Sequence, residues 1–153
     1  MFNIPPRSVM TLTFVYLTTA TAGNAVDEDN RIEGRWLTQD REGIVNIHEL
    51  HSGEIEGRIV DGRDPDRRDA NNPDPASRDD LLRGKVILSG LRHEESGQWV
   101  DGTIYDPDNG KTYRCTAELS GENILKIRGY VGSPLFGRTE VWTRLPGSRE
   151  VGP

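Results

Sequence analysis

The sequence predicts an all-β fold: a single antiparallel up-and-down β-barrel of about eight strands with one long polar loop. Three observations carry this expectation. From Gly34 to Arg144, short runs alternate apolar and polar residues, the period of two that marks half-buried strands. Turn-forming clusters separate the runs at the spacing of a sandwich or barrel. The 17 glycines and 9 prolines favour turns over long helices, and a hydrophobic content of 33% implies a modest core.

The strands are expected at residues 34–38, 44–50, 55–60, 84–91, 98–105, 112–119, 124–131 and 139–144. Asp40-Arg41-Glu42-Gly43 links the first two, and His51-Ser52-Gly53-Glu54 the next two. Asp106-Pro107-Asp108-Asn109-Gly110 is a strong hairpin signal, because Asn-Gly readily takes positive φ. Ser120-Gly121-Glu122-Asn123 does similar work.

Strand parity indicates an interior face. In the fifth run Trp99, Asp101, Thr103 and Tyr105 share one face, and Val100, Gly102 and Ile104 the other. Asp101, beside Trp99 and Tyr105, is thus the acid best placed to point inward, the alternative being an outward-facing residue. Tyr113, Cys115, Ala117 and Leu119 share a face in the sixth run, as do Leu125, Ile127, Gly129 and Val131 in the seventh. Small residues such as Gly102, Ala117 and Gly129 either leave room inside a barrel or mark bends.

One stretch breaks the rhythm. Residues 61–83 hold almost no apolar side chain before Leu81 and Leu82. A loop this long in a small domain is a flap across the barrel mouth or a solvated segment, with a short helical turn after Pro75. Its distinctive cluster is Asp69, Asn72, Asp74 and Arg78. These residues suit a polar ligand or a hard cation. They equally suit an ordered loop in which carboxylates accept backbone N–H groups and Arg78 finds an acidic partner. The Asp-x-Asp-x-Asp-Gly pattern of a calcium loop is absent, since Arg67 and Arg68 interrupt it.

The N-terminus reads as a targeting segment. One basic residue, Arg7, precedes an uncharged stretch over residues 9–22 that is rich in Val, Leu, Phe, Thr and Ala. Ala20-Thr21-Ala22 and Gly23-Asn24-Ala25 both fit a small-x-small cleavage site, the second being favoured. The stretch is too short to span a bilayer, and no cysteine follows it to carry a lipid anchor. The expected layout is a Sec-type signal peptide (1–25), a flexible mature N-terminus (26–33), the barrel (34–145) and a flexible C-terminal tail (146–153). The expected location is periplasmic or secreted.

The formal net charge is −6, and about −7 once the segment holding Arg7 is removed. An acidic chain repels phosphate backbones and anionic membrane surfaces, so neither nucleic acid nor a stable membrane anchor is expected. Oligomeric state is not legible. Cys115 is the single cysteine and reads as a small buried hydrophobe in a strand. The histidines, His48, His51 and His93, match no zinc pattern. No Gly-x-Ser-x-Gly elbow occurs, and acids are plentiful without any two being singled out. No catalytic residue, metal site or cofactor is assigned.

Several fragments together are similar to the bacterial secreted family known as domain of unknown function 2147 (DUF2147). They are Gly34-Arg35-Trp36, Gly57-Arg58-Ile59-Val60, Asp69 with Asn72-Pro73-Asp74-Pro75, Arg78, Leu82 and Gly84. Further on come Gly102-Thr103-Ile104-Tyr105-Asp106-Pro107, Gly110-Lys111-Thr112-Tyr113 and Leu125-Lys126-Ile127-Arg128-Gly129-Tyr130. Arg138-Thr139 and Trp142-Thr143-Arg144 end the run. The resemblance implies a compact exported β-barrel without an established activity. Many members carry a cysteine pair near the second hairpin, at positions that resemble His51 and Glu56 here, so that disulfide is lost.

A looser resemblance is to calycin barrels of the lipocalin and fatty-acid-binding type. They place a Gly-x-Trp on the first strand and a basic residue at the end of the last. Gly34-Arg35-Trp36 and Arg144 match those parts, which implies a guanidinium stacked on the indole at the barrel floor. The leading expectation is a periplasmic barrel for a small apolar or amphipathic ligand, lined by Trp36, Trp99, Asp101, Tyr105, Tyr113, Trp142 and Arg144, with the long loop as lid. The alternatives are a small envelope enzyme using acidic residues and a structural or interaction protein.

Overall fold

The computed structural model describes residues 32–147. The expected signal peptide, residues 26–31 and residues 148–153 lie outside the described residues. Eight strands follow one another: β1 Gly34–Leu37, β2 Gly43–Glu49, β3 Ile55–Gly62, β4 Val86–His93, β5 Gln98–Asp106, β6 Lys111–Leu119, β7 Ile124–Tyr130 and β8 Arg138–Arg144. Every end lies within two residues of the position read from alternation and turn chemistry. Each strand pairs antiparallel with the next, and β8 returns to β1 through Trp36↔Arg144 and Leu37↔Thr143, closing the barrel. Closure satisfies the backbone groups that an open edge would leave unpaired.

The barrel has a filled end and an open end. Trp36, Ile47, Ile55, Leu88, Leu91, Trp99, Cys115 and Leu125 pack the filled half and are all buried. Gly102 is part of that packing: a Cβ there would sit 2.4 Å from Leu91 Cγ, so the leucine occupies the space a side chain would take. Ile32 caps this end at 0% exposure, and its carbonyl accepts the Trp36 Nε1 hydrogen at 2.9 Å. Glu33 accepts from the Glu49 backbone N–H. The packed barrel therefore includes Ile32 and Glu33, two residues that the sequence reading placed in the flexible N-terminal segment.

A β-bulge in β5 resets the strand's parity. Trp99 pairs with Ala117 and Gly102 with Cys115, so three steps on β5 match two on β6. Asp101 takes the strain at φ +62°, a conformation that Asp tolerates better than most residues. Trp99, Gly102 and Ile104 consequently line the interior in sequence, and Asp101 is turned out. The expectation that Asp101 points inward beside Trp99 is corrected here: it is exposed and pairs with Arg92 at 3.0 Å and Arg114 at 3.8 Å.

The long loop between β3 and β4 is ordered. Arg68 and Leu81 form an antiparallel bridge, supported by the bonds Leu82 N–H to Arg67 O and Asp69 N–H to Asp80 O. A single 3-10 turn spans Pro75–Ser77, capped by the Asp74 carboxylate accepting from the Ala76 N–H. The loop rests on the β5–β6 hairpin, where Asn71 Nδ2 donates to the carbonyls of Pro107 and Asp108 at 3.0 Å each. Gly110 makes this contact possible. Its φ is +69°, and a Cβ would meet the Asn71 carbonyl oxygen at 1.8 Å.

Candidate ligand-binding cavity

The open end holds a cavity of about 440 Å³. Its apolar walls come from six consecutive inward positions around the barrel: Val45 on β2, Ile59 on β3, Ile87 on β4, Ile104 on β5, Tyr113 on β6 and Ile127 on β7. Trp142 on β8 completes the ring. The space exists because inward residues change size along the barrel axis. Gly129 lines it, and a Cβ there would approach Ile104 and Tyr113 no closer than 3.6 Å. That contrasts with Gly102 in the filled half, whose vacancy Leu91 takes.

Four connections form the rim: the β1–β2 turn, the long loop, the β5–β6 hairpin and the β7–β8 loop. The long loop contributes Asp64, Pro65, Arg67, Leu82 and Arg83, so it builds one wall of the mouth. Arg67 bridges Glu42 at 3.0 Å and Asp108, tying the first turn, the loop and the hairpin together. Across the mouth, Val131, Leu135 and Phe136 surround the 3-10 turn Pro134–Phe136 and are 74%, 84% and 85% exposed. Val131 and Phe136 also border the cavity.

Charge around the cavity is unbalanced. Among the described residues, seven carboxylates (Asp40, Glu42, Asp61, Asp64, Asp106, Asp108 and Glu140) face three guanidiniums (Arg67, Arg83 and Arg138), with no lysine or histidine. Six of the acids belong to the rim and its turns. Glu140 differs, because it sits within β8, paired across the sheet with the core residue Ile127. Its Oε2 accepts the Trp142 Nε1 hydrogen at 3.1 Å.

Of the expected lining residues, Tyr105, Tyr113 and Trp142 border the cavity. Trp36 and Arg144 lie at the opposite end. There the Arg144 guanidinium stacks 4.1 Å from the centre of the Trp36 indole, and it donates to the carbonyls of Glu33 and Glu122. The floor contact implied by the calycin resemblance is thus present, and these two residues close the barrel instead of lining a site. Trp99 is core, with its ring 4.9 Å from that of His93. Asp101 is outside the barrel altogether.

The cluster of Asp69, Asn72, Asp74 and Arg78 forms a structural knot. Asp69 is fully buried in a polar cluster: its Oδ1 accepts from the Tyr105 hydroxyl at 2.5 Å, and its Oδ2 accepts from Asn72 Nδ2 at 2.5 Å and pairs with Lys85 Nζ at 2.6 Å. Burial alone would raise the Asp69 pKa. The Lys85 ammonium and the hydrogen bonds from Tyr105 and Asn72 outweigh it and hold the carboxyl below its usual range. The Tyr105 phenol, buried and bonded to that carboxylate, is pushed well above its ordinary value. Asn72 in turn accepts from the Asp74 N–H, and its carbonyl accepts from Arg78 Nε at 2.9 Å. All four loop residues are therefore engaged with the loop itself or with the strands beneath it. Among the described residues, no cluster of His, Cys, Asp and Glu is arranged to hold a metal ion.

Sequence reasoning missed Glu140, Arg138 and the aliphatic ring of Ile59, Ile87 and Ile104. The signal for Glu140 was available, since Arg138, Glu140, Trp142 and Arg144 share one parity on β8. An inward carboxylate two residues from a core tryptophan follows from that alternation alone.

An up-and-down barrel closed by eight antiparallel strands, sealed at one end by Trp36 and Arg144 and hollow at the other, is a lipocalin-like architecture. In agreement, the structure is similar to HP1028 from the human pathogen Helicobacter pylori, a protein described as belonging to the lipocalin family. The TM-score is 0.67 at 23% identity, with 79% of this chain and 92% of that one covered. A family model described as an uncharacterized protein conserved in bacteria (DUF2147) matches residues 34–144, and the chain belongs to that family. No curated protein matches.

Proposed function

We propose that this chain is an exported, periplasmic protein whose barrel binds a small apolar or amphipathic molecule at its open end. The observation that carries the reading is the cavity of about 440 Å³, walled by aliphatic and aromatic side chains above a fully packed floor. Pockets for small molecules fall in the range of about 300–1,000 Å³, mostly apolar with a few polar anchors. The signal-peptide grammar of residues 1–25 supports export. The fixed loop wall favours a ligand that enters past the β7–β8 side of the mouth, where the exposed Phe136 and Val131 stand.

Native mass spectrometry of the protein purified from the periplasm tests this. A co-purifying small molecule, or a mass shift after incubation with an envelope lipid extract, is the expected result. A bare mass under both conditions would refute it. One observation favours the interaction reading: the apolar tip of Val131, Leu135 and Phe136 is the kind of exposed patch that marks a contact surface. A barrel that stays empty but captures a defined partner through that tip would support it.

A further inference from the structure

Resting on the binding reading above, we infer that the ligand of this cavity carries a cationic nitrogen, such as a primary or substituted ammonium, on an apolar body. The juxtaposition that assigns it is a single carboxylate, Glu140, set in the apolar wall between Ile127 and Trp142.

Glu140 is half-buried and lines the cavity. Its Oε2 is fixed by the Trp142 indole N–H at 3.1 Å. Among the described residues its Oε1 takes no hydrogen bond, and no ion pair involves Glu140. The nearest cation along the strand face, Arg138, is exposed at the mouth, two positions toward the opening. A half-buried carboxylate among aliphatic side chains gives up part of its hydration, and the Trp142 N–H satisfies one oxygen only, so a ligand of opposite charge would complete its partners. An ammonium at Oε1 would do so through a charge-assisted hydrogen bond to an acceptor already oriented by Trp142. Tyr113 and Trp142, on the same cavity, add aromatic surface of the kind that attracts cations.

The remaining charges favour the same sign. Arg67 is neutralised by Glu42 and Asp108, and Arg83 is exposed. The Asp106 carboxylate is occupied by the Asp108 N–H and Asn109 Nδ2 within its own turn. With seven carboxylates to three guanidiniums, the mouth attracts cations and repels anionic headgroups at low ionic strength. Among the described residues, a fatty-acid carboxylate would meet the guanidiniums of Arg83 and Arg138 only at the mouth, amid the more numerous carboxylates, and no basic side chain deeper in the aliphatic wall.

The test is calorimetric titration of the full chain with three probes that share one tail: decylamine, decanol and decanoate. Decylamine is expected to bind about tenfold tighter than decanol, the scale of one hydrogen bond to a charged group, and decanoate more weakly than decanol. Glu140→Gln keeps an oxygen for the Trp142 N–H, so it should bind decanol as the wild type does and lose the preference for the amine. Decanol binding with no amine preference, or decanoate binding best, would overturn the headgroup assignment and leave the barrel reading standing. Failure of all three probes to bind would overturn both.

Discussion

Replacing Asp69 with asparagine tests whether the buried polar knot fastens the long loop to the barrel. Asp69 is the one charged residue with no solvent exposure in the described chain, and three donors converge on it: Lys85 Nζ, the Tyr105 hydroxyl and Asn72 Nδ2. Asparagine has nearly the same shape. Its single oxygen can still accept from Asn72 and Lys85, and its amide can donate to the Tyr105 oxygen. What is lost is the charge opposite Lys85, whose side chain is 24% exposed and so only partly able to recover hydration. A hydrogen bond to a charged group contributes about 1.5–3 kcal/mol, and partial exposure of the lysine puts the expected loss near 2 kcal/mol. For a domain of this size that lowers the melting temperature by about 8 °C. The assay is thermal unfolding followed by circular dichroism at pH 7 and again in acid. The folded-state pKa of Asp69 is depressed, so its stabilisation is fully present above the unfolded value of about 3.9 and disappears as pH falls through the folded value. The gap between wild type and variant should therefore be largest near neutrality and close as pH falls through the depressed folded value, where the native carboxyl takes up its proton and resembles the amide. A shift under about 2 °C at pH 7, or a gap independent of pH, would refute the argument.

Two other outcomes follow from the packed end of the barrel. Arg144→Ala removes the stacking on Trp36 and the bonds to the Glu33 and Glu122 carbonyls; it should cost about 2–3 kcal/mol in urea unfolding while leaving the cavity at the far end able to bind a probe. Unchanged stability would remove the floor contact from the account of closure. Cys115 is fully buried and its thiol is pushed up to about 12 by burial, so it should not react with a thiol reagent at pH 8 in the native protein and should react at once in denaturant. Rapid native labelling would show that the β5–β6 half of the barrel opens far more readily than its packing implies.

The bulge in β5 shows where reading by alternation stops. Parity assumes an unbroken period of two, and the strand's ends were located correctly on that basis. A single extra residue between Trp99 and Gly102 inverts every later side chain. Nothing in Trp99-Val100-Asp101-Gly102 announces it beyond an aspartate before a glycine, a pair equally at home in a turn. Asp101 was assigned to the interior for that reason and belongs to the surface. The Asp69 cluster was visible as a dense group of loop-forming residues, but its partners Tyr105 and Lys85 lie 36 and 16 positions along the chain. Lys85 drew no notice before the fold placed it there. Sequence does not distinguish Trp36 and Trp99 from Trp142 as pocket lining, since composition does not say at which height in a barrel a tryptophan sits.

By itself the sequence determined the strand count, the strand boundaries, the antiparallel hairpins and the chemistry of the floor. The first three are local matters, a two-residue period and turn residues with particular φ angles, whereas the floor contact between Trp36 and Arg144 came from the resemblance to calycin barrels. Only the tertiary structure decided that one end is filled and the other hollow. That difference comes from which side chains meet across the axis, Leu91 filling the gap at Gly102 while the space beside Gly129 stays open, and such meetings join residues far apart in the chain. The same holds for Glu140, which becomes a cavity carboxylate because seven neighbouring strands curl round to surround it with apolar walls.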